Sequence, residues 1–211
     1  MDTGYYNETL LVECVIMFAR VNVQILAFIL LTLTLMLQYK IVLPVETAIT
    51  EMGGASLMFL PHGMKAVLVV VCGPSALLPI FFSHLITDLY NGMTISEALM
   101  AGPINVLTFL VPLALVSYLG NSSSLTKLTL GSTSNLSLFR VVFVVAFIAS
   151  LINSMFGALR YSDSGIDLMA FRFVVGDMIG TIMLLILLMI LKSKIIQLSK
   201  FLIARTSNLK S

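Results

Sequence analysis

Ser56 to Gly92 reads SLMFLPHGMKAVLVVVCGPSALLPIFFSHLITDLYNG. Two apolar runs are separated only by Cys72-Gly73-Pro74. Pro61, His62, Gly63 and Lys65 stand at the start of the first run, and His84 and Asp88 at the end of the second. This is the pattern of a membrane hairpin. If both halves are helices crossing the bilayer in opposite directions, the beginning of the first and the end of the second lie at one membrane face, where their ionisable residues can meet.

The surrounding composition demands a membrane. Of 211 residues, 59% are hydrophobic and 10% charged, and the mean hydropathy is +1.06, whereas soluble domains carry roughly one-quarter charged residues. The charges sit mostly in gaps between apolar runs, so the expectation is an all-α, polytopic transmembrane helical bundle. A chain of this length suits one compact bundle and leaves no room for a separate soluble catalytic domain. The net charge of +2 does not suggest nucleic-acid binding. Cys14 and Cys72 imply neither a disulfide framework nor a thiolate metal site.

Outward from the hairpin, six spans are expected in a bundle over residues 21–191, flanked by an N-terminal segment, 1–20, and a basic tail, 192–211. Residues 1–20 are too short to span and place Glu13 and Arg20 among apolar residues, as an interfacial helix does. The acidic amino end, with no small-residue cleavage site, argues against a signal peptide. The first span runs from Val21 to about Tyr39, ended by Lys40 and Pro44, and Pro44 to Ser56 reads as an external loop of permissive rather than catalytic chemistry. Beyond the two hairpin spans, Ile95 to Leu119 is a run interrupted by Gly102-Pro103 and Pro112, which reads as a kinked helix. Gly120 to Ser137 is a polar loop, Leu138 to Leu159 the fifth span, Tyr161 to Ala170 a polar connection and Phe171 to Leu191 the sixth. Ala146, Ser150 and Ser154 in one span, and Gly176 and Gly180 in the other, recur at helix-packing intervals and are read as packing faces.

The tail carries Lys192, Lys194, Lys200, Arg205 and Lys210 without an acidic residue, so its end is expected in the cytoplasm. Six spans then bring the amino terminus inside too. Glu46, Glu51, Glu97, Asp163 and Asp167 fall outside, although Lys40, Arg160 and Arg172 also lie near the outer face. The tail suits an amphipathic helix on anionic lipid or a docking segment for a partner. Asn-x-Ser/Thr matches at Asn7, Asn121 and Asn135 fall on the inner side and are read as chance.

In this topology the intramembrane polar residues gather in one half of the bundle: His62, Lys65, His84, Asp88, Asn105, Asn153 and Asp177. His84 and Asp88, four apart, share a helix face. An ionisable residue within a span is a functional hypothesis with a partner to be named, and Lys65 with Asp177 is the pair the depths suggest. It either fixes helix register or lines an externally open ligand pocket. Zinc ligation by His62, His84 and Asp88 is chemically conceivable, but the spacing matches no metal motif and no metal or other cofactor is assigned. There is no glycine-rich phosphate loop, no H-E-x-x-H and no G-x-S-x-G, so no catalytic residue is assigned and no enzyme is expected.

FLPHGMK from Phe59, GPSALLPI from Gly73 and FVVGDMIG from Phe173 resemble the membrane-associated sensor domain found in front of bacterial histidine kinases and diguanylate cyclases. The resemblance covers about Ser56 to Leu191, and Pro61, Gly63, Gly73, Pro79, Gly176, Asp177 and Gly180 match its pattern. It implies a multi-helix sensory input module in the bacterial inner membrane. Only a basic tail follows Leu191, with no kinase or cyclase domain, so output would pass to a separate membrane or cytoplasmic protein. The leading expectation is thus a sensor or receptor-like module with an outward polar pocket for a small molecule. The chain is also similar to the substrate-binding membrane component of energy-coupling vitamin transporters. A third reading is an assembly or scaffold subunit.

Overall fold

The computed structural model describes the backbone of residues 4–50, 56–119, 135–160 and 166–208, and the side chains of residues 21–49, 56–116, 118, 138–157 and 169–191. The described backbone is helical, with no strand. The helices are α1 (Gly4–Leu37), continued by a π-helical turn Gln38–Val42, α2 (Leu43–Thr50), α3 (Leu60–Cys72), a 3-10 turn Gly73–Ala76, α4 (Leu77–Tyr90), α5 (Ile95–Leu119), α6 (Asn135–Arg160) and α7 (Ile166–Asn208). Five helical stretches are long and apolar enough to cross a membrane: Val21–Ile49, Leu60–Tyr90, Ile95–Val116, Leu138–Gly157 and Met169–Leu191. Their surface inverts that of a soluble protein. Leu33, Ile49, Met100 and Met155 are exposed, while Gln38, Lys65, Asp88 and Asp177 are buried, an arrangement that suits hydrocarbon outside and hydrogen-bonded polar groups inside.

Leu60–Tyr90 is one apolar stretch but not one straight rod. A straight helix would separate Lys65 from His84 by roughly 28 Å, yet Lys65 Nζ lies 3.2 Å from His84 Nε2. The chain turns at Gly73, whose φ of 63° is one a glycine adopts without penalty. The arms have 13 and 14 residues and rise about 20 Å each, short of a hydrocarbon core of about 30 Å. The expected hairpin is present, with arms that are too short to span such a core on helix alone.

The elements alternate in direction. Gln38, at the end of α1, meets Leu60 at the start of α3, and Lys40 stacks on Tyr90 at the end of α4. Gly157 near the end of α6 faces Phe173 near the start of α7, and Gly63 faces Thr181, so α3 and α7 run the same way. All the sequence-expected polar residues therefore lie in the half of the bundle where α3, α5 and α7 begin.

The entry to α3 shows how distant segments converge. Amide donors at a helix start need partners from elsewhere, and here each is satisfied. Leu57 N donates to Glu46 Oε1, Met58 N to Ser56 Oγ at 3.2 Å, Phe59 N to the Gly176 carbonyl at 2.9 Å and Leu60 N to Gln38 Oε1 at 3.1 Å. Pro61 follows, with no N–H to satisfy. Ser56 Oγ in turn donates to Glu46 Oε2 at 2.5 Å and accepts from Gln38 Nε2 at 3.1 Å.

Several expected boundaries are corrected. Pro44 does not end the first helix: the π-helical turn ahead of it shifts the hydrogen-bond register, and a proline is tolerated in the first turn of the following helix. Residues 43–50 are thus α2 rather than loop, and Glu46 braces α3. α6 starts at Asn135 and α7 at Ile166, so the flanking polar residues are partly helical and the expected connections shorter. α5 continues through Pro103 and Pro112. The bulk of the expected polar loop, 120–134, lies outside the described residues, as do the side chains of 1–20 and 192–211 on which the amphipathic readings rest. The described backbone of those terminal segments extends α1 and α7 without a break.

Candidate functional site

Close backbone approach builds the site. A methyl group added at Gly63 would stand 2.7 Å from the Thr181 Cα, and one added at Gly176 or Gly180 would overlap the backbone of Ser56 or Phe59. The two α7 glycines thus receive the extended segment ahead of α3, rather than α6, and α3 lies against α7 at Gly63. That contact carries Asp177, next to Gly176, to His62. On the other side, Gly102 of α5 lies under the ring of Phe81 in α4, and three residues later Asn105 reaches Lys65.

Six of the seven expected side chains form two hydrogen-bonded groups. In the first, Asp177 Oδ2 accepts from Asn153 Nδ2 at 2.9 Å and lies 3.1 Å from His62 Nδ1, in a direction off the line of a full hydrogen bond. His62 Nε2 donates to the Ala146 carbonyl at 2.9 Å. In the second, the Lys65 ammonium donates to Asn105 Oδ1 at 3.0 Å and meets His84 Nε2 at 3.2 Å. Asp88, the seventh, is buried one turn beyond His84; with Asp177 it is one of the two carboxylates that attract Lys65. The burial is nearly complete: Lys65 is 2% exposed, Asp177 1% and His62 0%.

The expected direct contact between Lys65 and Asp177 is corrected. No ion pair joins them; Asp177 turns to His62 and Asn153, and Lys65 to His84 and Asn105. Similar depth did not make them neighbours, because rotation about each helix axis also decides which side chains touch.

Two aromatic rings pack against these groups, and Phe109 belongs to the apolar core as well. The Phe109 ring stacks at a tilt on His62, with centroids 5.0 Å apart, and its face is 5.3 Å from Lys65 Nζ. Phe59 lies 5.7 Å from the same ammonium. Both distances suit attraction between a cation and a ring. Phe109 was legible only as the residue one turn after Asn105, and Phe59 only as part of an apolar run. Glu46, Gln38 and Ser56 likewise gave no local signal of their joint role.

Of the expected packing residues, Ala146 and Ser150 are fully buried and Ser154 nearly so. Ala146 contributes its carbonyl to His62, a role that its side chain does not announce. Among the described residues no three His, Cys, Asp or Glu side chains converge as metal ligands. His62 Nε2 is taken up by the Ala146 carbonyl, and the Nε2 of His84 faces an ammonium. Four buried atoms have no hydrogen-bond partner among the described residues: His62 Nδ1, Asp177 Oδ1, Thr87 Oγ1 and, on α1, Thr32 Oγ1.

Comparison with protein families, with curated proteins and with solved structures finds no match. The sensor-domain resemblance rests on its short motifs.

Proposed function

We propose that this chain is a non-enzymatic sensor or receptor-like module of a bacterial inner membrane, whose input element is the buried polar cluster and whose output passes to a separate partner. One observation carries the reading: α3, α4, α5, α6 and α7 all contribute a side chain to the cluster. A change in charge or hydrogen bonding there acts on five helices at once, and an interior of packed helices responds by discrete rearrangement. A role confined to helix register would need fewer ionisable groups than the five gathered here.

The cluster is closed in this structure. A small molecule from the outer face would reach it by separating the short arms α3 and α4 from the Glu46–Ser56–Gln38 brace. In this reading the chain makes six crossings with both termini in the cytoplasm, and the basic extension of α7 meets lipid or the partner.

Affinity purification in mild detergent, followed by mass spectrometry of retained proteins and small molecules, tests the proposal. A co-purifying kinase, cyclase or comparable signalling protein is expected. A co-purifying ATPase with a coupling subunit would replace this reading with transport, and recovery of neither class would favour an assembly subunit.

A further inference from the structure

The two hydrogen-bonded groups do not stand alike with respect to protons. The Ala146 carbonyl can only accept, so the 2.9 Å contact assigns a proton to His62 Nε2. In a neutral ring Nδ1 is then a bare lone pair. It stands 3.1 Å from Asp177 Oδ2, an oxygen that already accepts from Asn153. A bare ring nitrogen and an ionised carboxylate oxygen are both acceptors, and at this distance in a dry interior they repel.

We infer that His62 and Asp177 together form a proton-binding site, in which one exchangeable proton resides on ring Nδ1 or on carboxylate Oδ2, 3.1 Å apart. The proton can sit on the ring, giving imidazolium and carboxylate, or on the carboxyl, giving neutral imidazole and carboxylic acid. Transfer between the two breaks one N–H bond and forms one O–H bond, and leaves the pair without net charge.

The charged neighbour of the pair is Lys65, one turn along α3 from His62, and the Lys65 ammonium meets His84 Nε2 of α4 at 3.2 Å. Lys65 is attracted by Asp88 of α4 as well as by Asp177. On the other elements packed nearby, Glu46 of α2 holds the Ser56–Leu57 segment that lies on Gly176, and α7 itself carries Arg172. In a buried site an unpaired charge is costly, which favours a neutral His62–Asp177 pair. Because ring and carboxyl share the proton, the pair titrates as a unit. The site stands whether the bundle senses, transports or only assembles.

The test is nitrogen NMR of the full chain, labelled with 15N-histidine, in lipid nanodiscs across a pH series. The chain has 2 histidines, so His84→Gln assigns the His62 signals by elimination. The expected result is a His62 Nδ1 that carries or shares a proton. That signal should be lost in Asp177→Asn, whose amide donates to Nδ1 directly and removes the need for a proton. A bare His62 Nδ1 in the wild type at every pH where the chain stays folded, with no protonated buried carboxyl in its infrared spectrum, would overturn the site. So would a proton on His62 Nδ1 that Asp177→Asn leaves unchanged. The wild-type spectra decide the matter even if the Asp177 variant does not fold.

Discussion

His62 and Lys65 are one turn apart on α3, and each could be the partner of Asp177. Measured couplings can tell them apart. Removing one member of a buried charged group typically costs about 3–5 kcal/mol, so Lys65→Met and Asp177→Asn should each destabilise the protein strongly in detergent. A cycle with His62→Asn and Asp177→Asn should give a coupling within roughly 0.5–3 kcal/mol, because these side chains are 3.1 Å apart. The Lys65/Asp177 cycle should give a smaller value, since the two interact only through space. Denaturant unfolding of the three single and two double variants measures both. A Lys65/Asp177 coupling equal to or above that of His62/Asp177 would restore the direct pair. The ionisable members of the cluster were legible because a charged residue in an apolar run stands out. Phe109 and Phe59 were not, since a ring in an apolar run looks like any other core residue.

Among the elements, the start of α3 is held by side chains that are remote in sequence. Glu46 lies on α2, yet it accepts from the Leu57 amide and the Ser56 hydroxyl. Leaving such donors unsatisfied costs about 1–3 kcal/mol. Glu46→Ala should therefore lower stability by that order and speed hydrogen exchange at the Leu57 amide, with little effect at the far end of α3 near Val70. Exchange that is unchanged at Leu57 would show that the brace is dispensable. The sequence offered no sign of it, because Pro44 and the glycine pair that follows read as a loop. A π-helical turn let the chain pass Pro44 as helix and bring Glu46 round to α3.

For the whole molecule, the proposed orientation rests on the basic tail and on parity. Whether the short arms α3 and α4 cross the bilayer or return within it, the hairpin begins and ends at one face, so the proposed orientation of the rest of the chain is the same in either case. A reporter fused after Ser211 should behave as cytoplasmic, and one inserted within residues 161–165 as external. Cytoplasmic behaviour of the second would overturn the proposed topology.

Apolar run length, the sparing use of charge and the break at Cys72-Gly73-Pro74 were enough to establish a bundle of apolar helices with a hairpin whose polar ends face one way. Local composition encodes these features, because a backbone in hydrocarbon must satisfy its own hydrogen bonds and each helix can do so alone. The pairing of Asp177 with His62, the enclosure of Lys65 by Phe59 and Phe109, and the bracing of α3 by Glu46 needed the tertiary structure. They depend on the rotation of each helix about its axis and on how closely Gly63, Gly176 and Gly180 let backbones approach, and those quantities are set only when segments far apart in sequence pack together.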